Sequence, residues 1–314
     1  MSALTRPDGR VRREGRRAVA IGGGHGLARA LRALPGVVDG VTAVVTVADD
    51  GGSSGRLRRD FDVLPPGDLR MALTAMARDE QLARLVSFRF ERGELAGHSL
   101  GNLMLVAMEE LAGGDLVAAL DELATMLDAP GRVLPCTLEP VTLHALTGQG
   151  QVVGQATVTT TPRLEQVWLE PARPAAHHDA IEAIRSADMA VLGPGSLYTS
   201  LLPNLLVPEI ARAVSSLRGP VVLVANLREQ PGETEAMDLS DHLDALSKHV
   251  PELVVDVVIV HDGPPPTGPG TPLAVDDRIT DRVGTVVKAQ LLDGSDGHDP
   301  AALACALDEV LHGS

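Results

Sequence analysis

The segment Ala48-Asp49-Asp50-Gly51-Gly52-Ser53-Ser54-Gly55-Arg56 places two adjacent carboxylates, three glycines, two serines and an arginine directly after an apolar run. These residues pack a core poorly and hold a phosphorylated ligand well. Serine hydroxyls and bare backbone N–H groups meet phosphate oxygens, and an arginine neutralises them. A carboxylate at a strand end takes a ribose hydroxyl or a hydrated Mg²⁺. The expected roles are ribose or metal contact for Asp49 and Asp50, with Asp50 the candidate metal ligand. Gly51, Ser53 and Arg56 are expected to close over phosphate. The plain alternative is a polar turn of residues that tolerate positive φ.

Three further segments carry chemistry. Gly22-Gly23-Gly24-His25-Gly26 lies between a strand pattern and a helix pattern, which puts backbone donors and a positive helix end at one spot. It misses the dinucleotide fingerprint, because Leu27 or Arg29 stands where the third glycine belongs, so ordinary NAD binding is weakly supported. Gly97-His98-Ser99-Leu100-Gly101-Asn102 precedes a helix. Ser99 and Asn102 suit capping, and His98 suits an anion contact or a proton donor. Gly193-Pro194-Gly195-Ser196 ends a strand pattern, as does Asn226, and both point to a crevice outside strand carboxyl ends. Asp68 is read as a helix N-cap after Pro65-Pro66-Gly67 and as a site residue. His177-His178 reads as a solvated cap rather than a metal site. A Ser196–His98–Asp49 triad is discounted, since no G-x-S-x-G elbow is present.

These loops need a frame. Arg17–Ile21, Val41–Val47, Met189–Leu192, Pro220–Ala225, Val254–Val260 and Thr285–Leu291 read as strands. Helical patterns fall between them, at Leu27–Leu34, 68–78, 81–90, 102–111, 115–127, 180–186, 208–217, 238–249 and from Asp299-Pro300 onward. That alternation predicts an α/β fold with a doubly wound, mainly parallel sheet. Between about 133 and 170 three β-like runs with a Gly148-Gln149-Gly150 turn predict a small antiparallel insertion.

Of the 314 residues 44% are apolar but only 2% aromatic, so the core must be aliphatic, which suits such a sheet. A net charge of −15 argues against binding nucleic acid or anionic membranes. No run of apolar residues reaches membrane-spanning length, so no membrane insertion is expected. Two distant cysteines, Cys136 and Cys305, fit a reduced, cytoplasmic setting. Six arginines between residues 6 and 17 read as a disordered tail over 1–16, followed by one domain over 17–314.

The blocks Ile21–Leu27, Val45–Leu57, Pro65–Arg70, Gly97–Leu103 and Leu192–Pro208 together resemble the YvcK/CofD-like family, most closely its YvcK, or gluconeogenesis-factor, branch. The resemblance spans residues 17 to 262. It implies a Rossmann-like sheet and a cytoplasmic protein that binds a nucleotide or UDP-sugar such as UDP-N-acetylglucosamine. It also implies a role in cell shape and wall synthesis on gluconeogenic carbon sources. The other branch implies a Mg²⁺-dependent transferase with a nucleotide-activated donor. The ligand-binding set is then Gly23, Gly24, His25, Gly26, Asp49, Asp50, Gly51, Ser53, Arg56, Asp68, His98, Ser99, Gly101, Asn102, Gly193, Gly195, Ser196 and Asn226. No catalytic residue is assigned, Mg²⁺ is the one cofactor considered, and a homo-oligomer is expected. Family members usually carry a tyrosine-containing segment at Pro264–Pro272 and an arginine before His-Asp-Pro, where this chain has Gly297. Weaker sugar discrimination is expected from these two departures.

Overall fold

The computed structural model describes residues 15–267, 270–292, 294 and 297–313. The first half runs β1 (Arg17–Gly22), α1 (Gly24–Ala33), β2 (Gly40–Val45), α2 (Gly52–Phe61), α3 (Gly67–Met76), α4 (Glu80–Ser87), α5 (Leu100–Leu111), α6 (Leu116–Met126) and β3 (Gly131–Pro135). An antiparallel unit follows: β4 (Thr142–Thr147), β5 (Gly150–Val153), the one-turn α7 (Gln155–Val158) and β6 (Leu164–Glu170). Next come α8 (His178–Arg185), β7 (Met189–Leu192), a π-helical turn Leu197–Leu201 that runs into α9 (Leu202–Leu205), and α10 (Pro208–Ser215). The chain closes with β8 (Val221–Val224), α11 (Leu239–His249), β9 (Val257–His261), β10 (Thr285–Ala289) and α12 (Pro300–Gly313).

The main sheet has the order β10-β9-β8-β7-β1-β2-β3, and every neighbouring pair is parallel. The chain leaves β1 toward β3, then returns to β7 on the other side of β1 and winds outward to β10. The direction of winding therefore reverses between β1 and β7. This is where open α/β sheets form a ligand crevice, outside the strand carboxyl ends. β7 and β8 are buried along their whole length, as central strands covered on both faces must be. Tyr198 is the one aromatic residue in the described aliphatic core.

The structure moves three boundaries. Gly131–Pro135 pairs with β2 as the edge of the main sheet, so the insertion begins at Thr142 rather than near 133. Gln155–Val158, within the stretch expected to be β-like, is helical. Gly154 breaks the strand with φ +95°, and the Asp50 carboxylate accepts the Ala156 N–H at the new helix start. α2, whose glycines and serines read as a loop, is a full helix behind the Asp49-Asp50 turn. Leu143, Ala145, Val167 and Leu169 of the insertion join the same continuous core as the main sheet. Of the arginine-rich tail, Arg6, Arg10, Arg12 and Arg13 lie outside the described residues. Arg16 is not tail-like: its guanidinium donates to the Leu311 carbonyl at 2.9 Å.

Candidate functional site

At the reversal point the loops after β1 and β7 meet backbone to backbone. A Cβ on Gly26 would lie 2.3 Å from the Pro194 oxygen and 2.6 Å from the Gly195 Cα, so only glycine permits the approach. Asn226, just beyond β8, clasps the same loop: its Oδ1 accepts the Gly195 N–H and its Nδ2 donates to the Gly195 carbonyl, both at 2.9 Å. From below, Asn204 Nδ2 donates to the Gly22 carbonyl at 3.0 Å. These contacts frame a cleft of about 550 Å³ lined by Gly23, Gly24, His25, Gly26, Arg29, Gly195, Ser196, Asn226, Arg228, Gln230, Gly297 and His298. The first turn of α1 opens into it. Its N-cap, Gly23, provides no side-chain cap, so the helix start has the makings of an anion site. Gly193 lies at the strand end with φ +71° and is not among the residues lining the cleft.

The remaining expected residues gather around the start of α2, a second helix with a glycine N-cap, Gly51, and no side-chain cap. Here the buried side chains form one chain of hydrogen bonds. Arg70 Nε donates to Asn102 Oδ1 at 2.9 Å, Asn102 Nδ2 donates to Ser53 Oγ at 3.1 Å, and Ser53 Oγ lies 2.9 Å from His98 Nδ1. A guanidinium only donates, which orients Asn102. Ser53, accepting from Asn102, keeps one proton to give, and donating it to His98 Nδ1 leaves a neutral imidazole that carries its proton on Nε2. Burial, and then Arg56, push the His98 pKa below its ordinary value, in keeping with that form. Arg56 itself donates to the Ala96 carbonyl at 2.7 Å.

Two residues of the expected set have evident structural roles. Ser99 is the N-cap of α5, its buried Oγ accepting the Asn102 N–H at 3.3 Å. Gly101 is a packing glycine, since a Cβ there would lie 2.4 Å from Val86 Cγ1.

The carboxylates divide the work differently from the sequence reading. Asp50 faces the insertion, where Oδ1 accepts the Ala156 N–H at 2.8 Å. Asp49 Oδ1 accepts the Gly51 N–H at 2.9 Å, and burial raises its pKa. Asp68 is not an N-cap. The cap position is Pro66, and Asp68 sits one residue inside α3, buried against Gly23. Burial, then the charge of Asp49, push its pKa up to about 7, against the opposing hydrogen bond from the Gly24 backbone. Its Oδ2 is buried and, among the described residues, makes no hydrogen bond. For a divalent cation, which keeps most of its waters and takes one or two carboxylates, Asp68 with Asp49 fits better than Asp50. No cluster of three or more metal-ligating side chains occurs among the described residues.

Sequence reading missed several residues that line or support the cleft. Arg29 lies one helical turn beyond His25, a spacing that puts both on one face. Asn204 is the single polar residue in Leu201-Leu-Pro-Asn-Leu-Leu206, which was a visible signal. Gln230 and Glu233 sit in Gln230-Pro-Gly-Glu233, which reads as an ordinary turn. A second cleft of about 630 Å³ lies elsewhere, lined by Arg58, Asp62, Glu109, Asp115 and His177. Its carboxylates oppose an anion, and the α6 start beside it is already capped by Asp115.

A family model described as 2-phospho-L-lactate transferase CofD matches residues 18–285. A protein from Deinococcus radiodurans named "Putative gluconeogenesis factor" is 43% identical over 312 residues, covering 95% of this chain and 67% of that protein. A protein from Halalkalibacterium halodurans named "Gluconeogenesis factor" is 43% identical over 250 residues, covering 78% of this chain and 77% of that one. The crystal structure of a UPF0052 family member from Bacillus halodurans superposes with a TM-score of 0.88 at 37% identity, covering 94% of this chain and 99% of that one. Among the described residues no helix is long and apolar enough to cross a membrane.

Proposed function

The chain belongs to the CofD family, and from that premise we propose that it is a non-catalytic, nucleotide-sugar-binding regulator that supports cell shape and wall synthesis on gluconeogenic carbon sources. The observation that carries this reading is the meeting of two glycine loops at the reversal of the sheet, beside the start of α1, whose N-cap is a glycine with no side chain. A diphosphate seated there would meet the backbone of Gly23–Gly26 and the positive end of α1. His25, Gly195, Ser196 and Asn226 would face the remainder of a UDP-sugar such as UDP-N-acetylglucosamine. Asp49, Ser53, Arg56, His98 and Asn102 would form the adjoining wall. The protein is proposed to act in the cytoplasm as a homo-oligomer. Thermal unfolding with a panel of nucleotides and UDP-sugars tests the reading. A ligand at 100 times its Kd should add about 2.7 kcal/mol, and no shift with any of them, with or without Mg²⁺, would count against it.

The second reading is a Mg²⁺-dependent transferase using a nucleotide-activated donor. It is favoured by the buried Asp68 Oδ2, which has no hydrogen-bond partner among the described residues, and by the neighbouring Asp49. Bound Mg²⁺ would neutralise charge on a transferring phosphoryl group. Turnover with activated donors and Mg²⁺, abolished by Asp68→Asn, would decide for the enzyme.

A further inference from the structure

Glu233 is 1% exposed and accepts four hydrogen bonds. The donors are the Tyr198 N–H at 2.7 Å, the Thr199 N–H at 3.3 Å, the Thr199 hydroxyl at 3.0 Å and the Gln230 side-chain amide at 3.0 Å. Above pH 7, to about which burial raises its pKa, the Glu233 carboxylate is ionised and only accepts. The Gln230 group facing it is therefore the NH₂, which turns the Gln230 carbonyl oxygen to the Ser196 hydroxyl, 2.7 Å away. An amide oxygen also only accepts, so Ser196 turns its one proton inward to Gln230, with the Glu233 carboxylate on the same side drawing it the same way. What Ser196 then offers to the cleft is a lone pair.

We propose that Glu233, acting through Gln230, sets the hydrogen-bond polarity of the switch-point cleft, so that Ser196 reads a donor on the ligand and turns away a phosphate oxygen. The group read is a hydroxyl or N–H of a sugar or base, an assignment that rests on the nucleotide-sugar reading of this cleft. Glu233 and Gln230 are positioning residues, and Ser196 is the contact. Phosphate recognition is left to the backbone donors of Gly23–Gly26 on the other side of the cleft.

The near-isosteric Glu233→Gln inverts the relay. The backbone N–H groups of Tyr198 and Thr199 keep an oxygen facing them. The new NH₂ must then face Gln230, the Gln230 amide must turn over, and the Ser196 proton is released toward the cleft. Neutron diffraction on crystals of the full chain at about pH 8.5 reads this directly. The Ser196 deuteron should point at Gln230 in the unmodified protein and into the cleft in Glu233→Gln. A deuteron already in the cleft of the unmodified protein, or no change on substitution, overturns the proposal.

Calorimetry at the same pH uses inorganic diphosphate, whose oxygens accept at all but one protonated position, and UDP-N-acetylglucosamine, whose sugar and base carry several donors. Glu233→Gln should improve the diphosphate affinity relative to the nucleotide sugar by about tenfold, the worth of one hydrogen bond. Parallel changes for both probes overturn the ligand-reading role. If neither probe binds while the deuterons sit as expected, the nucleotide-sugar reading falls and the polarity assignment stands. Should Glu233→Gln fail to fold, Ser196→Ala removes the reading lone pair with Glu233 and Gln230 intact. The same relative gain for diphosphate is then expected, and an unchanged ratio overturns the proposal.

Discussion

The guanidinium of Arg29 occupies the space in front of Gly297: a Cβ built at residue 297 would lie 2.4 Å from Arg29 Nη2 and 2.7 Å from its Cζ. The sequence reads as lacking an arginine before His298-Asp299-Pro300, with Gly297→Arg expected to restore it. In the folded chain α1 already brings a cation to that wall, and the bare glycine makes room for it. Gly297→Arg should therefore displace Arg29 rather than add to it. Affinity for UDP-N-acetylglucosamine should change by less than about threefold, well short of the tenfold or more that a new charged hydrogen bond gives. A selective tenfold gain in calorimetry would show that the two guanidinia fit together.

Gly26→Ala should be more damaging than Gly24→Ala. The added methyl at residue 26 meets the Pro194–Gly195 backbone, whereas at residue 24 nothing lies within 4 Å and only the φ of +63° is strained. Overpacking of this kind costs about 1–3 kcal/mol, and αL strain for a non-glycine residue about 1–2 kcal/mol. Denaturant unfolding should rank the two, and nucleotide binding should fail in Gly26→Ala alone. Equal effects would contradict the backbone contact between the two loops.

Asp68 ties stability to pH. Its folded pKa of about 7 lies above the ordinary carboxylate value, so the folded chain holds a proton that the unfolded chain releases. Its contribution is full below about pH 4 and is lost as pH rises through 7. Glu233, also raised to about 7 by burial, acts in the same direction. Between pH 4.5 and 8 the unmodified protein should lose on the order of 2–4 kcal/mol more than Asp68→Asn. Parallel pH profiles would show that Asp68 is ionised throughout.

The Arg70–Asn102–Ser53–His98 chain predicts a neutral imidazole protonated on Nε2 at pH 6.5, with Ser53→Ala releasing that constraint. The ¹⁵N resonances of the His98 ring distinguish the two tautomers from the cation. An imidazolium at that pH would contradict the direction assigned to the relay.

Most of the frame was legible because it is written locally. Val221–Val224 and Met189–Leu192 are apolar runs bounded by turns, and the glycine loops follow strand patterns directly. α2 was not legible, because Gly52, Ser53, Ser54 and Gly55 are weak helix formers that tertiary packing overrides. Asp50 was read as the candidate metal ligand, and nothing local shows that the insertion, some hundred residues on, also supplies the Ala156 N–H to it. The Glu233 relay was hidden for the same reason: its partners Tyr198 and Thr199 lie 35 and 34 residues away. Hydrogen-bond polarity between such distant groups leaves no periodic mark in a sequence.

The most direct test of the account is a crystal structure of the chain with UDP-N-acetylglucosamine. The diphosphate should lie at the start of α1, between Gly23–Gly26 and Gly195, with a sugar or base hydroxyl or N–H within hydrogen-bond distance of Ser196 Oγ. Ligand density instead in the cleft lined by Arg58, Glu109, Asp115 and His177, or a phosphate oxygen on Ser196 Oγ, would contradict it.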